Sequence, residues 1–141
     1  MLYLDTSSLL KYLLPEPDDE ATEAALHRED EVAVSALTLL EAFVQIRAKR
    51  LGGMVSARIH REICAALDGL DRHAPFVFRP LSGGVFSTAL HQHRRADRVH
   101  CRSLDRLHLA AMEELGIARL MTHDARQSAV AQSMGFEVLS P

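Results

Sequence analysis

The sequence predicts an α/β protein with a parallel β-sheet covered by helices on both faces. Three observations carry that prediction. Short apolar runs recur along the chain, at Leu2-Tyr3-Leu4, Val32-Ala33-Val34, Phe76-Val77-Phe78, Leu120-Met121-Thr122 and Phe136-Glu137-Val138-Leu139. Between them lie segments whose apolar residues repeat at helical spacing, the pattern of a sheet buried on both sides. The third is Asp5, an acid placed where the first run ends and a helix begins, since open α/β sheets bind ligands at the carboxyl ends of their strands.

Leu9, Leu10, Leu13 and Leu14 give the first helix its apolar face, with Pro15 as a stop. Pro15 to Asp19 reads as a turn, and Ala21, Ala24, Ala25 and Leu26 as a second helix. Ser35 ends the second strand and is placed to cap a long helix from Ala36 to about Leu51, which Gly52-Gly53 terminates. Val55, Ile59, Ile63, Ala66, Leu67 and Leu70 mark one face of a helix between Met54 and about Asp71. After the third strand, Gly83-Gly84 opens a helix through Val85, Phe86, Ala89 and Leu90, and a basic connection is expected from His91 to Arg102. Ser103 is the expected cap of a helix carrying Leu104, Leu107, Ala111 and Leu115, closed by Gly116. Ala125 to about Met134 completes the helices.

The 141 residues fit one domain, residues 1–141, with one hydrophobic core. The apolar share of 48% and charged share of 25% are those of an ordinary soluble protein. Cys64 and Cys101 match no metal or redox spacing and read as free thiols of a cytoplasmic protein. No secretion signal is recognised, and no apolar run reaches the ~18 residues of a membrane span. A net charge of −3 does not by itself announce a nucleic-acid binder, so that function has to be argued locally.

Four acids carry the local argument. Asp5 follows the first strand, and Asp124 repeats its setting after Leu120-Met121-Thr122. Each can be read as a helix N-cap and nothing more. Asp105 falls in the first turn of its helix, where the dipole favours an acid. Glu41 lies well inside its helix, near Leu37, Val44 and Ala48 at the border of the apolar face, where a carboxylate needs a cation or donors. Arg47 is the structural candidate for that partner, and a metal the functional one. Four carboxylates meeting at one spot cannot all ionise without compensation, which hard divalent cations such as Mg²⁺ supply. Such a site can activate water and clamp a phosphodiester. The chain has no Gly-x-Ser-x-Gly elbow, phosphate-binding glycine loop or His-Glu-x-x-His motif.

The ordered set Leu4-Asp5-Thr6-Ser7-Ser8-Leu9-Leu10-Lys11-Tyr12, Ser35-Ala36-Leu37-Thr38-Leu39-Leu40-Glu41-Ala42, Leu104-Asp105-Arg106-Leu107-His108-Leu109-Ala110-Ala111 and Met121-Thr122-His123-Asp124-Ala125-Arg126 resembles a PIN domain. More narrowly it resembles the VapC-type ribonuclease toxins of bacterial toxin–antitoxin pairs. The likeness runs to the closing Gly135-Phe136-Glu137-Val138-Leu139-Ser140-Pro141. It implies a three-layer α/β/α fold and a Mg²⁺- or Mn²⁺-dependent endoribonuclease that hydrolyses RNA. It also implies a homodimer and a small cognate antitoxin of the VapB type. Carried over by position, it makes Asp5, Glu41, Asp105 and Asp124 the catalytic and metal-site acids, with Ser7 and Thr122 beside them. His108 and His123 are departures to be explained, as bonded to a site carboxylate or substrate, as solvent-facing, or as core residues satisfied elsewhere.

Arg94, Arg95, Arg98, Arg102 and Arg106 gather around the start of the Asp105 helix, where they would hold an RNA backbone that the carboxylates repel. A solvated connector is the plainer reading. His91 and His93 would chelate zinc together only off a helix, because residues two apart on a helix point apart. The apolar residues from Ala36 through Leu70 exceed what a small domain readily buries, so a second copy or an antitoxin segment is expected to cover some of them. The alternatives are a nuclease fold that no longer cuts and acts as a binding or regulatory partner, and a housekeeping RNA-processing nuclease. A haloacid dehalogenase-type phosphohydrolase would want a second Asp two residues after Asp5, where Ser7 stands.

Overall fold

The computed structural model describes residues 1–14, 20–95 and 100–141. Five strands, β1 (Leu2–Leu4), β2 (Val32–Ser35), β3 (Phe76–Arg79), β4 (Arg119–Met121) and β5 (Glu137–Leu139), form one sheet in the order β3-β2-β1-β4-β5. Every pairing is parallel. The helices are α1 (Thr6–Leu13), α2 (Glu20–Leu26), α3 (Ala36–Leu51), α4 (Ala57–Asp68), α5 (Val85–Arg95), α6 (Ser103–Leu115) and α7 (Ala125–Ser133).

Strand alternation divides the core in two. Leu2, Leu4, Val32, Val34 and Met121 point to the side where Leu9, Leu26, Ile46, Ile63 and Leu67 of α1 to α4 pack. Tyr3, Ala33 and Leu120 point to the opposite side, against Val85, Ala89, Leu109, Met112 and Val130 of α5 to α7. The predicted three-layer α/β/α architecture is therefore the one observed. Tyr3, on the central strand, is fully buried like its neighbours.

The order also places the site. Successive strands step from β1 to β2 and β3 on one side, and the chain then returns to place β4 and β5 on the other. The reversal lies between β1 and β4, whose carboxyl ends lead to Asp5 and Thr122. Such a switch point leaves a crevice outside the sheet.

Several boundaries differ from the sequence expectation. The fourth helix starts at Ala57, capped by Ser56 Oγ accepting from Ile59 N, so Met54 and Val55 precede it, and Gly69 ends it at Asp68. The connection expected from His91 is helical as far as Arg95. His91 and His93 consequently sit two apart on α5, the spacing that turns their rings apart. Arg102, not Ser103, is the N-cap of α6. Asp105, at the third position, reaches back to the N-cap, its Oδ2 accepting from Arg102 N at 3.2 Å, the acid's half of a capping box. The Pro15–Asp19 turn lies outside the described residues, as does Arg98. Cys64 and Cys101 are both free thiols. Among the described residues no helix is long and apolar enough to cross a membrane.

Candidate active site

Asp5 leaves β1 in extended backbone and caps α1, its Oδ1 accepting from Ser8 N at 2.9 Å. Capping does not exhaust it. Ser7 Oγ donates at 2.9 Å and Thr122 Oγ1 at 2.7 Å, and the carboxylate is 3% exposed. Burial raises its pKa above the ordinary aspartate value, and the donors from Thr122 and Ser8, the His108 ring and Ser7 oppose that rise. Asp124 caps α7, accepting from Arg126 N at 2.8 Å and Gln127 N at 3.0 Å.

Glu41 projects from the middle of α3, where no helix end supports it. Its Oε2 accepts from Thr6 Oγ1 at 2.9 Å and meets His108 Nε2 at 2.5 Å. Burial acts to raise the Glu41 pKa, but the hydrogen bond and charge of His108, with Thr6 and Arg102, outweigh it and leave the group below its ordinary value. His108 is itself held by Tyr3, whose hydroxyl lies 2.9 Å from Nδ1 and 2.7 Å from Ser35 Oγ. Ser35 in turn meets Thr38, which bonds the Leu4 carbonyl. A buried chain of hydroxyls thus ties the Glu41 partner to the central strand. Arg47, the sequence candidate for pairing Glu41, is exposed on α3.

Asp105 and Asp124 share one cation. Arg102 Nε lies 3.0 Å from Asp105 Oδ2, and its Nη2 lies 2.7 Å from Asp124 Oδ2. These carboxylates raise the pKa of Arg102, Asp105 most.

All four acids line one cleft of about 480 Å³, together with Thr6, Ser7, Arg102, His108 and Gln127. Leu37, Leu40 and Val44 of α3, with Leu104, add apolar side chains to the lining. Among the described residues, no three His, Cys, Asp or Glu side chains converge closely enough, as they stand, to hold one ion. As they stand, Asp105 and Asp124 are paired with Arg102, and Glu41 with His108 and Thr6. The donors are nonetheless hard oxygens around a cleft that already holds a cationic group between two of them, which fits a divalent cation in chemistry. The Arg102 side chain is 60% exposed.

Of the remaining predicted residues, Ser7 and Thr122 both donate to the Asp5 carboxylate. Arg94 and Arg95 are exposed at the end of α5. Arg106 is not part of an exposed patch: it is 5% exposed, with Nη1 3.2 Å from Met134 Sδ. His123 is bonded by Ser8 Oγ at 2.8 Å and by the Pro141 carbonyl at 3.0 Å. Three cleft residues escaped sequence reasoning: Thr6, the bridging role of Arg102, and Gln127. The available signal for Gln127 was its place three residues after Asp124, in the first turn of α7, where a polar side chain that is buried has to have a partner.

The PIN domain family profile matches residues 2–133. Ribonuclease VapC46 of Mycobacterium tuberculosis is 30% identical over 99% of this chain and 97% of its own length. Among solved structures, Mycobacterium tuberculosis VapC20, described as a sarcin–ricin loop cleaving toxin, superposes with a TM-score of 0.75 at 17% identity over the full length of both chains. A structure of VapBC2 from Rickettsia felis, bound to a DNA fragment from its promoter, matches with a TM-score of 0.69 at 13% identity, covering 99% of this chain and 98% of that one. With a parallel sheet whose switch point gathers Asp5, Glu41, Asp105 and Asp124 around one cleft, the chain belongs to the PIN domain family, among its VapC-type members.

Proposed function

We propose that this protein is a divalent-metal-dependent endoribonuclease, the toxin half of a toxin–antitoxin pair, that hydrolyses RNA phosphodiester bonds in the cytoplasm. The observation that carries the reading is the convergence of four carboxylates from β1, α3, α6 and α7 on one cleft. Asp5, Glu41, Asp105 and Asp124 would hold Mg²⁺ or Mn²⁺, which when bound neutralises their like charge and activates water toward a phosphodiester. Asp5 is oriented for that role by Ser7, Ser8 and Thr122, and Glu41 by Thr6 and His108. Arg94, Arg95 and Arg98 would hold the RNA backbone.

The names of the relatives support the assignment: one is a ribonuclease, one a toxin that cleaves an RNA loop, and one belongs to a VapBC assembly. A VapB-type antitoxin and a second copy of the chain are the partners proposed. Leu40 and Val44, 62% and 59% exposed beside the cleft, are apolar surface that such a partner would cover. The test is cleavage of single-stranded RNA by the purified chain in Mg²⁺. Activity that vanishes in EDTA and in Asp5→Asn supports the reading, and activity undiminished in either condition refutes it.

One observation favours a second reading. Arg102 already neutralises Asp105 and Asp124, as it would in a PIN fold that binds partners without cutting. Calorimetric titration with Mg²⁺ separates the two, since only the nuclease requires binding.

A further inference from the structure

Tyr3, Ser35, Thr38 and His108 are all buried, and their hydrogen bonds form one unbroken line from the central strand to the wall of the cleft. Each hydroxyl in it has one proton to give, so the direction of the line follows from its far end. The Leu4 carbonyl can only accept, and it takes the Thr38 hydroxyl proton at 3.1 Å. Thr38 Oγ1 then has none left for Ser35 Oγ, 3.0 Å away, and Ser35 must donate to it. Ser35 Oγ already accepts from the Thr38 amide at 3.1 Å, and with its own proton spent it accepts again from Tyr3 at 2.7 Å. The phenol in turn has no proton for His108 Nδ1, 2.9 Å from it, so the hydrogen between them belongs to the ring. No charge on any of the four acids enters these steps.

We infer that Thr38, Ser35 and Tyr3 are positioning residues of the cleft, a one-way line of hydroxyls that keeps the ring hydrogen of His108 on Nδ1 and aims Nε2 at Glu41. What one ring nitrogen donates to decides what the other can do, and here that acceptor is a tyrosine on the central strand. With Nδ1 filled, the contact between Nε2 and Glu41 Oε2 holds one shared proton, whichever of the two carries it. Oε2 is committed to His108 and Thr6 together. The other oxygen, Oε1, has no hydrogen-bond partner among the described residues and is not sealed from solvent. It is the oxygen Glu41 has left for an ion in the cleft that it lines. The direction of the line stands apart from the nuclease reading, on which only this use of Oε1 rests.

The test is ring-nitrogen NMR of the isotope-labelled, metal-free chain carrying Glu41→Gln, at about pH 8 where imidazole is ordinarily neutral. That substitution leaves the hydroxyl line alone to choose which nitrogen holds the hydrogen. The expected result is a protonated Nδ1, and a bare Nδ1 would overturn the inference. Adding Thr38→Val, close in shape but without the hydroxyl that anchors the line, should shift the ring toward the bare Nδ1 form. Thr38→Ser in its place should restore the protonated one. A ring that ignores Thr38→Val, or that Thr38→Ser does not restore, also overturns the inference. Should a double variant fail to fold by circular dichroism, the parent chain decides by the same signal, with Nδ1 protonated as expected or bare and the inference lost. None of these samples contains metal or RNA, so an adverse result leaves the nuclease reading standing. Mg²⁺ added to the parent should move the Glu41 carboxylate carbon while the Nδ1 signal stays. An Nδ1 hydrogen lost on Mg²⁺ binding, or a Glu41 carbon that stays put while those of the other acids move, would overturn the positioning role. Four carboxylate carbons that do not respond at all would overturn the nuclease reading, and with it only the use of Oε1.

Discussion

The Arg102 guanidinium stands 2.7 Å from Asp124 Oδ2, and its Nε lies 3.0 Å from Asp105 Oδ2, so one cation from the chain itself bridges two acids of the cleft. The Arg102 side chain is 60% exposed, and each exposed pair of this kind is worth at most about 1 kcal/mol, so the two together are worth at most about 2 kcal/mol. A divalent ion that displaces them works against no more than that. Arg102→Gln should therefore bind Mg²⁺ more tightly, by up to about 30-fold. Isothermal titration calorimetry checks this, and an unchanged affinity would mean that Arg102 does not compete with the ion.

Under the proposed nuclease reading, Asp5→Asn should reduce RNA cleavage by about 100-fold or more, since an amide replaces a buried carboxylate proposed to hold the metal. The fold should survive, because asparagine is as good an N-cap for α1 as aspartate. A gel-based cleavage assay paired with a thermal melt reads both outcomes, and full activity would remove Asp5 from the site.

The pH dependence of stability separates Asp5 from Glu41. The folded-state pKa of Asp5 is raised by burial, so the native state binds the extra proton, and metal-free stability falls as pH rises from the ordinary aspartate value of 3.8 through the raised one. Asp5→Asn should flatten that decline and melt higher at neutral pH. Glu41 is lowered from 4.5, so its contribution is present above that value and is lost as pH falls through the folded pKa. Glu41→Gln should accordingly be less stable than the parent at neutral pH, with the difference closing in acid. Melting temperatures across pH 3 to 8 on a ~1-unit grid would show the two opposite trends, each pKa unit being worth about 1.4 kcal/mol.

Tyr3→Phe removes the hydroxyl between Ser35 and His108 without changing the apolar packing of the central strand. It should cost about 1–3 kcal/mol in denaturant unfolding, because buried partners are left unpaired. It should also weaken cleavage by loosening the His108 hold on Glu41. Stability loss with cleavage untouched would confine the relay to a structural role.

Replacing Arg94, Arg95 and Arg98 together with Ala should lower RNA affinity and reduce the slope of log affinity against log salt by up to about 2, at about 0.7 per phosphate contact on a single strand. Fluorescence anisotropy over a KCl series measures this. An unchanged slope would take these arginines out of the interface.

What the sequence made legible was whatever depends on local pattern. The apolar runs named the strands, and Asp5 and Asp124 declared themselves because each ends such a run. Glu41 was found because a carboxylate at the edge of an apolar helical face demands a partner. The identity of that partner was not local: Arg47 shares the helix, but His108, 67 positions away, makes the contact. His108 falls one helical turn after Asp105, which places both toward the cleft, yet nothing in spacing distinguishes a histidine bonded to a carboxylate from one satisfied in the core. Arg102 and Arg106 looked alike as members of a basic cluster. Backbone conformation separates them: Arg102 is the extended N-cap of α6 and reaches the acids, while Arg106 lies within the helix and points into the core beside Met134.

The central place of β1 in the sheet bears on how the protein is made. Leu2 to Leu4 are synthesised well before their β4 neighbours Leu120 and Met121, and the hydroxyl that orients Asp5 belongs to Thr122. A nascent chain therefore holds an unfinished sheet and an unassembled cleft until Thr122 has been translated, and a product truncated before Thr122 would carry three of the four acids without the hydroxyl that holds Asp5 in place.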